Sequence, residues 1–335
     1  SIPPIIVDSS ITLEGYRNYF DIKNISLSGG YKLNDLWEIK FRSSILSSDF
    51  NARYFYTTNI FDKSTEITSN WFNRVQFQRK TNLGSTLDIN ASYKRSNDEF
   101  IFSPDFPSTN SHTMDFINFT INSSKEIKNN IKLKSGLQGD FRKIESNDRG
   151  NHSDYHFGGY LMGVYKSNNM VFTAIAREDY DQNYGFEFCP QLSASYSMNN
   201  IVLRASAGKS IRAADYTERY VSNNIVELTP ERSLGNPNLI AEKGWSEEIG
   251  INYYPFKNIL FKATVFSRQS KNIIDYSLTN ENDIGNVSDI GSLYSGADYF
   301  FAKNFKEVNV NGFELELNSR FLVSENSTLN WQMGY

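Results

Sequence analysis

Side chains that alternate between apolar and polar with a period of two run through almost the whole chain, and no other feature restricts its fold as much. Trp37, Ile39, Phe41 and Ile45 fall on one face of a strand, with Glu38, Lys40, Arg42 and Ser44 on the other. The same split separates Leu87, Ile89, Ala91 and Tyr93 from Asp88, Asn90, Ser92 and Lys94, and Ile131, Leu133, Leu137 and Phe141 from Lys132, Lys134, Gln138 and Asp140. It recurs with Phe313, Leu315, Leu317 and Phe321 against Glu314, Glu316, Asn318 and Arg320. Successive side chains of a strand point to opposite faces, so each segment has one apolar and one polar face. No stretch supports a helix of comparable length. About sixteen such segments can be counted, the first at 5–14 and others at 36–46 and 50–58, most of them near ten residues. Soluble strands usually run about five or six residues, whereas about ten tilted residues cross a bilayer.

The connections alternate too. Short turns are expected near 47–49, 81–84, 124–130, 167–169, 199–200, 255–258 and 322–327. Long loops are expected near 59–70, 96–113, 143–156, 179–188, 210–244 and 269–311. An antiparallel meander in a membrane has tight turns at one rim and long loops at the other. A soluble β-sandwich has no reason to sort its loops in this way. Aromatics near strand ends (Tyr31, Tyr54, Tyr56, Tyr93, Tyr165, Tyr196, Tyr253, Tyr254) fit the interfacial girdles of such a barrel. The expected fold is therefore all-β, a transmembrane antiparallel up-and-down β-barrel. In hydrocarbon each unpaired amide group costs several kcal/mol, so a spanning sheet must close on itself.

Composition narrows function. Mean hydropathy is −0.49 and no apolar run approaches twenty residues, which excludes a transmembrane helix. The 34 basic and 38 acidic side chains nearly cancel, so nucleic acid is not an expected partner. The single cysteine, Cys189, excludes an internal disulfide framework and a cysteine zinc site. No Ser/His/Asp order, glycine-rich phosphate loop or Cys/His cluster stands out, and neither an enzyme nor a bound cofactor is expected. His152 and His156 lie four apart in a stretch rich in Asn, Asp, Gly and Ser. They read as part of a solvated loop rather than a metal site. The chain opens at Ser1-Ile2-Pro3-Pro4 without a signal peptide, so a processed chain or a section of a longer one is expected.

Two stretches carry a family likeness. Arg212-Ala213-Ala214 is followed by Glu218 and Tyr220, then by Gly235, Asn236, Pro237, Asn238, Leu239, Glu242 and Lys243. Downstream come Asn304 and Val308-Asn309-Val310-Asn311-Gly312-Phe313-Glu314-Leu315-Glu316. In order and spacing this pair resembles the markers of TonB-dependent outer-membrane transporters, with Ala214 where the family usually has proline. The resemblance implies a barrel of about 22 strands closed by a plug domain. This chain, 1–335, would be about sixteen of those strands, with the plug and the C-terminal strands missing. It implies active uptake of a scarce nutrient, above all a ferric siderophore or another metal chelate, driven by the TonB energy-coupling complex. It also implies a place in the outer membrane of a Gram-negative bacterium, among lipid and lipopolysaccharide. Cobalamin, haem and glycan remain open within the family. A passive, complete 16-stranded porin-like barrel is the alternative from another class, and a soluble β-sandwich lectin a more distant one.

The motif residues read as mainly structural, since Asn-Pro and Gly-Asn start turns in any protein. Ligand contact is expected from aromatic and cationic residues of the long loops: Phe106, Arg149, Tyr155, Tyr180, Tyr184 and Phe186. Such a set suits a planar, anionic, partly apolar chelate. The competing reading is that the aromatics form the interfacial girdle.

Overall fold

The computed structural model describes residues 6–8, 11–12, 18–55, 62–81, 84–103, 106–285, 287 and 290–335; the side chains of 6–8, 11–12 and 106–108 are not included. Fourteen strands follow one another in a single antiparallel meander: β1 (Phe20–Lys32), β2 (Trp37–Asn51), β3 (Thr65–Lys80), β4 (Thr86–Ser103), β5 (Phe106–Lys128), β6 (Ile131–Ser146), β7 (Gly150–Lys166), β8 (Met170–Asp181), β9 (Gln191–Met198), β10 (Ile201–Arg212), β11 (Glu242–Phe256), β12 (Ile259–Asn280), β13 (Asp298–Ser324) and β14 (Ser327–Gly334). Two short strands, Gly185–Phe188 on β8 and Ser233–Leu234 on β13, bring the sheet to sixteen. Among the described residues this one large sheet, with two two-stranded sheets beside it, replaces the two packed layers of a sandwich. It is open: β1 and β14 do not pair with each other.

The expected segment at 5–14 is a short hairpin of Ile6–Asp8 with Ile11–Thr12. The expected strand at 50–58 is not a separate element. β2 runs on through 47–49, where a turn was expected, because Asp49 and Phe50 keep pairing with both neighbours. The first short turn is at 33–36, where the side chain of Asn34 caps the amides of Leu36 and Trp37.

The loop expectations change more. At 96–113, 143–156 and 269–311 most of the expected loop is strand. β4 and β5 are separated only by 104–105, which lie outside the described residues, and β6 and β7 only by 147–149. Polar residues at alternate positions can hydrogen-bond in the ladder as well as apolar ones, so loss of hydrophobic periodicity marks where lipid ends and not where the strand ends. The sorting of the two rims survives: tight turns at one end, and at the other tall hairpins plus the connections 182–190, 213–241 and 281–297.

Register puts the apolar residues on one face. Ile45 opposes Trp71, Phe141 opposes Ile117 and Tyr155, Val265 opposes Ile249 and Phe313. Leu137, Leu161, Ile249 and Val265 are 63–71% exposed, which only a lipid environment makes favourable. Aromatic pairs border this belt. Trp71 and Tyr93 meet edge to face at 5.7 Å at the tall rim, and Tyr253 stacks on Phe261 at 6.5 Å at the short-turn rim. From Phe157 to Tyr165 on β7 is about 27 Å of strand at about 3.4 Å per residue, comparable to the apolar band of about 25 Å that such barrels present.

The polar face is the concave one. The 213–241 connection leaves β10 and reaches back to β6, where Tyr216 Oη donates to the Arg142 carbonyl at 3.2 Å. It also pairs with β13 through Ser233–Leu234. Leu228, Leu234, Ile284, Tyr299 and Phe301 build a small core above the rim, with the Tyr299 hydroxyl donating to the Leu228 carbonyl at 3.0 Å.

Candidate functional site

The mouth of the concave side is built around 213–241. Arg212 ends β10, and helix α1 (Tyr216–Tyr220) starts four residues later behind a capping box: Glu218 N donates to Asp215 Oδ1 at 2.8 Å and Asp215 N to Glu218 Oε2 at 2.9 Å. The Arg212 guanidinium reaches Glu218 at 2.9 Å and Glu242, its cross-strand partner, at 2.6 Å. Glu242 also accepts from the Ile274 amide at 2.7 Å. These bonds, that from Arg212 foremost, hold the Glu242 carboxyl below its ordinary range. Three strands and a helix are thus tied at one point.

Gly235 is required by a close approach. A Cβ there would overlap the Tyr220 amide nitrogen and the Arg219 carbonyl, both backbone atoms. Asn236 N donates to the Glu218 carbonyl at 2.9 Å, and its side-chain amide donates to the Ala302 carbonyl at 3.0 Å. Pro237 and Asn238 form the turn that follows. Asn304 bridges Ile240 and Asn272. Ala214, in the place of the expected proline, packs against the buried cluster of Leu239, Ile274 and Ala302. Gly312 faces the ring of Phe266, which a Cβ would strike, and Glu316 pairs with Lys262 at 3.1 Å; Glu314 opposes Thr264.

The tip of the β6–β7 hairpin is the second support. Asp148 is buried and accepts from Arg232 at 3.2 Å and from the Ser222 amide at 3.3 Å. Arg142 pairs with Asp154 at 2.5 Å and Asp181 at 2.8 Å, and His156 lies between Asp140 and Asp179 at 3.2 and 2.8 Å. His156 is therefore a member of a strand-borne ion network and not of a solvated loop. His152 is also on β7. Its ring stacks on Tyr220 at 3.5 Å, and Arg219 lies 4.7 Å from the centre of that same ring. Tyr276 stands on the same side, its hydroxyl bonded to the Thr217 carbonyl at 3.3 Å, and burial pushes its ionisation up to about 12.

The expected ligand residues divide into two groups. Tyr155, Tyr180 and Phe186 share the outward face with Leu137 and Leu161. Tyr155 stacks on Tyr180 at 6.1 Å, and Tyr180 meets Phe186 at 4.8 Å. They are a girdle segment at the tall rim. Tyr184 sits at the turn after β8, and burial beside Asp181 raises its ionisation. Arg149 lies at the β6–β7 tip beside His112, whose ionisation is lowered by burial first and by the Arg149 charge second. Phe106 opens β5; its side chain is outside the described ones. Sequence reasoning missed Asp148, Arg232, Arg142 and Tyr216, whose partners lie 74 to 84 residues away. The one local signal was the period-two charge run Arg177, Asp179, Asp181. Among the described residues no group of three or more His, Cys, Asp or Glu could hold a metal ion. What the mouth brings together is the stacked rings of His152 and Tyr220 with the Arg219 guanidinium over the latter, and Tyr276 bonded to the same helix.

A family model described as TonB dependent receptor-like, beta-barrel, matches residues 6–335. Among curated proteins no sequence matches. The fold is similar to that of the siderophore receptor PirA from Pseudomonas aeruginosa (TM-score 0.72, 15% identity, covering 93% of this chain and 57% of that one). It is similar to a variant of the ferric enterobactin receptor PfeA from the same organism (0.76, 14%, 95% and 51%). It is also similar to a double mutant of the Serratia marcescens hemophore receptor HasR, solved with its hemophore HasA and heme (0.69, 11%, 92% and 53%). The chain spans about half the length of these structures.

Proposed function

The chain belongs to the TonB-dependent receptor-like β-barrel family, and from that premise we propose that it is the barrel section of an outer-membrane receptor that takes up a ferric siderophore or another metal chelate, driven by the TonB complex. The observation that carries this reading is the family match over residues 6–335. The similar structures that are siderophore and ferric enterobactin receptors support the ligand class. In this reading the protein is a transporter and not an enzyme. The apolar belt meets outer-membrane lipid, and lipopolysaccharide surrounds the tall rim. A plug domain and further strands belong to the same polypeptide, and TonB acts through that plug. Haem is the second reading, favoured by the fold it shares with a hemophore receptor.

Within this proposal the capture surface is the cluster of Arg149, His152, Arg219, Tyr220 and Tyr276 at the mouth, and Tyr184 is a further contact. Tyr155, Tyr180 and Phe186 anchor the barrel in the interface. Uptake of a labelled ferric catecholate, ferric hydroxamate or haem by cells carrying the full-length receptor, with and without TonB, tests this. TonB-dependent uptake of a ferric chelate supports the first reading, and of haem alone the second. Uptake of none, or uptake unaffected by loss of TonB, overturns both.

A further inference from the structure

The concave face carries a charge arrangement that its own fold leaves uncompensated. Arg42 of β2 and Arg74 of β3 are direct cross-strand partners, and both lie on this face. Lys40 and Lys94 share it, opposite Gln76 and Phe72. Directly opposed like charges destabilise an antiparallel pair. Lys40 has Glu38 at 3.1 Å. Arg74 donates only to a neutral oxygen, Asn90 Oδ1, at 3.1 Å from Nε and 2.5 Å from Nη2. The nearby carboxylate, Asp88, is occupied by Gln76 and Asn90. Among the described residues no carboxylate is within ion-pair distance of Arg42, Arg74 or Lys94.

The pair also borders a hollow. An open cavity of about 410 Å³ is lined here by Ser28, Gly30, Lys40, Arg42, Arg74 and Gln76, and by Glu38, whose carboxylate is held by Lys40. Its level is that of Phe41 and Val75 on the opposite face, well inside the apolar belt. Three cations that no carboxylate pairs among the described residues, backed by a low-dielectric wall, concentrate positive potential on this face.

We propose that Arg42 and Arg74 are a clamp for a carboxylate presented from the barrel interior, with Lys94 adding to the attraction. The guanidinium fork matches a carboxylate with two parallel bonds, which a lysine cannot reproduce. The carboxylate comes either from an Asp or Glu of polypeptide filling the interior or from a small soluble acid. The inference rests on the barrel reading, because it needs the concave face to enclose an interior. It does not depend on which ligand is transported.

The test is the thermal midpoint of the full-length receptor in detergent, for wild type, R42Q, R74Q, R42K and R74K, with and without citrate. With its carboxylate in place, whether the polypeptide's own or added citrate, a clamp makes R42Q and R74Q each melt lower than wild type, since each removes an attraction. If citrate leaves wild type unchanged, the carboxylate belongs to the polypeptide. If citrate raises the wild-type midpoint and the Gln variants lose that rise, it is soluble. Midpoints that rise or stay level in both Gln variants, with no citrate effect on wild type, mean a merely repelling pair and overturn the proposal. Should the Gln variants fail to assemble, the Lys variants decide. They keep the repulsion and lose the fork, so a lower midpoint supports the clamp and an unchanged one overturns it. A receptor with the clamp pattern but no uptake of iron chelate or haem would fail the transport reading alone.

Discussion

Single positions separate lipid, lumen and loop contacts. Leu137 is 63% exposed on the outward face of β6, while Lys134 lies on the concave face. Leu137→Arg places a charge near mid-belt and is expected to destabilise the folded receptor by about 2–4 kcal/mol, with Lys134→Glu close to neutral. Equilibrium refolding of the full-length protein into vesicles measures both, and equal effects would mean the faces are misassigned. Gly235→Ala meets backbone atoms of Arg219 and Tyr220 that cannot swing aside. Relief requires moving α1 away from 236–239, at a cost on the order of 1–3 kcal/mol, with uptake lost before the barrel itself unfolds. The Arg212–Glu242 bond gives a pH dependence. Because the folded Glu242 carboxyl sits below its ordinary value of 4.5, its stabilisation is complete above that value and disappears as pH falls through the lower, folded one. Amide protection across 213–241, with the intrinsic pH dependence of exchange divided out, should fall in wild type as pH drops below that ordinary value, and in Glu242→Gln should be low at every pH.

At the scale of elements, the tall rim is set by hairpins that continue beyond the lipid and by one connection folded across the mouth. The alternation of hydrophobic and polar residues made fourteen strands legible, because lipid outside and water inside impose that period on every one. The same signal failed above the rim. There both faces meet water, so Thr109 to Thr113 and Ser153 to Tyr155 read as loop although their ladders are continuous. The motif residues were legible as family markers, and their structural role follows from what they touch. The face assigned to Tyr155, Tyr180 and Phe186 was not legible, because a loop has no parity and a strand does. Nor was Asp148, which is visible only once the β6–β7 tip meets 222–232. That aspartate is buried, its partner Arg232 is only partly so, and two segments depend on it. Removing the acceptor leaves the buried Ser222 amide unsatisfied, at about 1–3 kcal/mol. Asp148→Ala should therefore release the 213–241 connection, seen as new protease cleavage there on intact cells, with β1 to β14 still resistant. Unchanged cleavage would mean that the small core around Tyr299 holds the connection without it.

For the whole molecule the decisive fact is an open sheet. Among the described residues nothing pairs with the outer edges of β1 and β14, and within a bilayer each unpaired amide costs several kcal/mol. An exposed edge is also a template for another strand. The Arg42–Arg74 pair lies one strand in from the β1 edge, so any strand added there would enclose the cavity beside it. Residues 1–335 expressed alone and refolded in detergent are therefore expected to associate edge to edge and to show rapid amide exchange in β1 and β14. In the full-length receptor those same amides should be protected as well as those of β6 and β7, because each edge then has a neighbour. Exchange followed strand by strand on the two proteins makes the comparison. A monomeric 1–335 with both edges protected would mean that β1 and β14 close on each other in the membrane, giving a narrower barrel of fourteen strands and no room for a plug. In that case the interior carboxylate sought by Arg42 and Arg74 would have to be a solute.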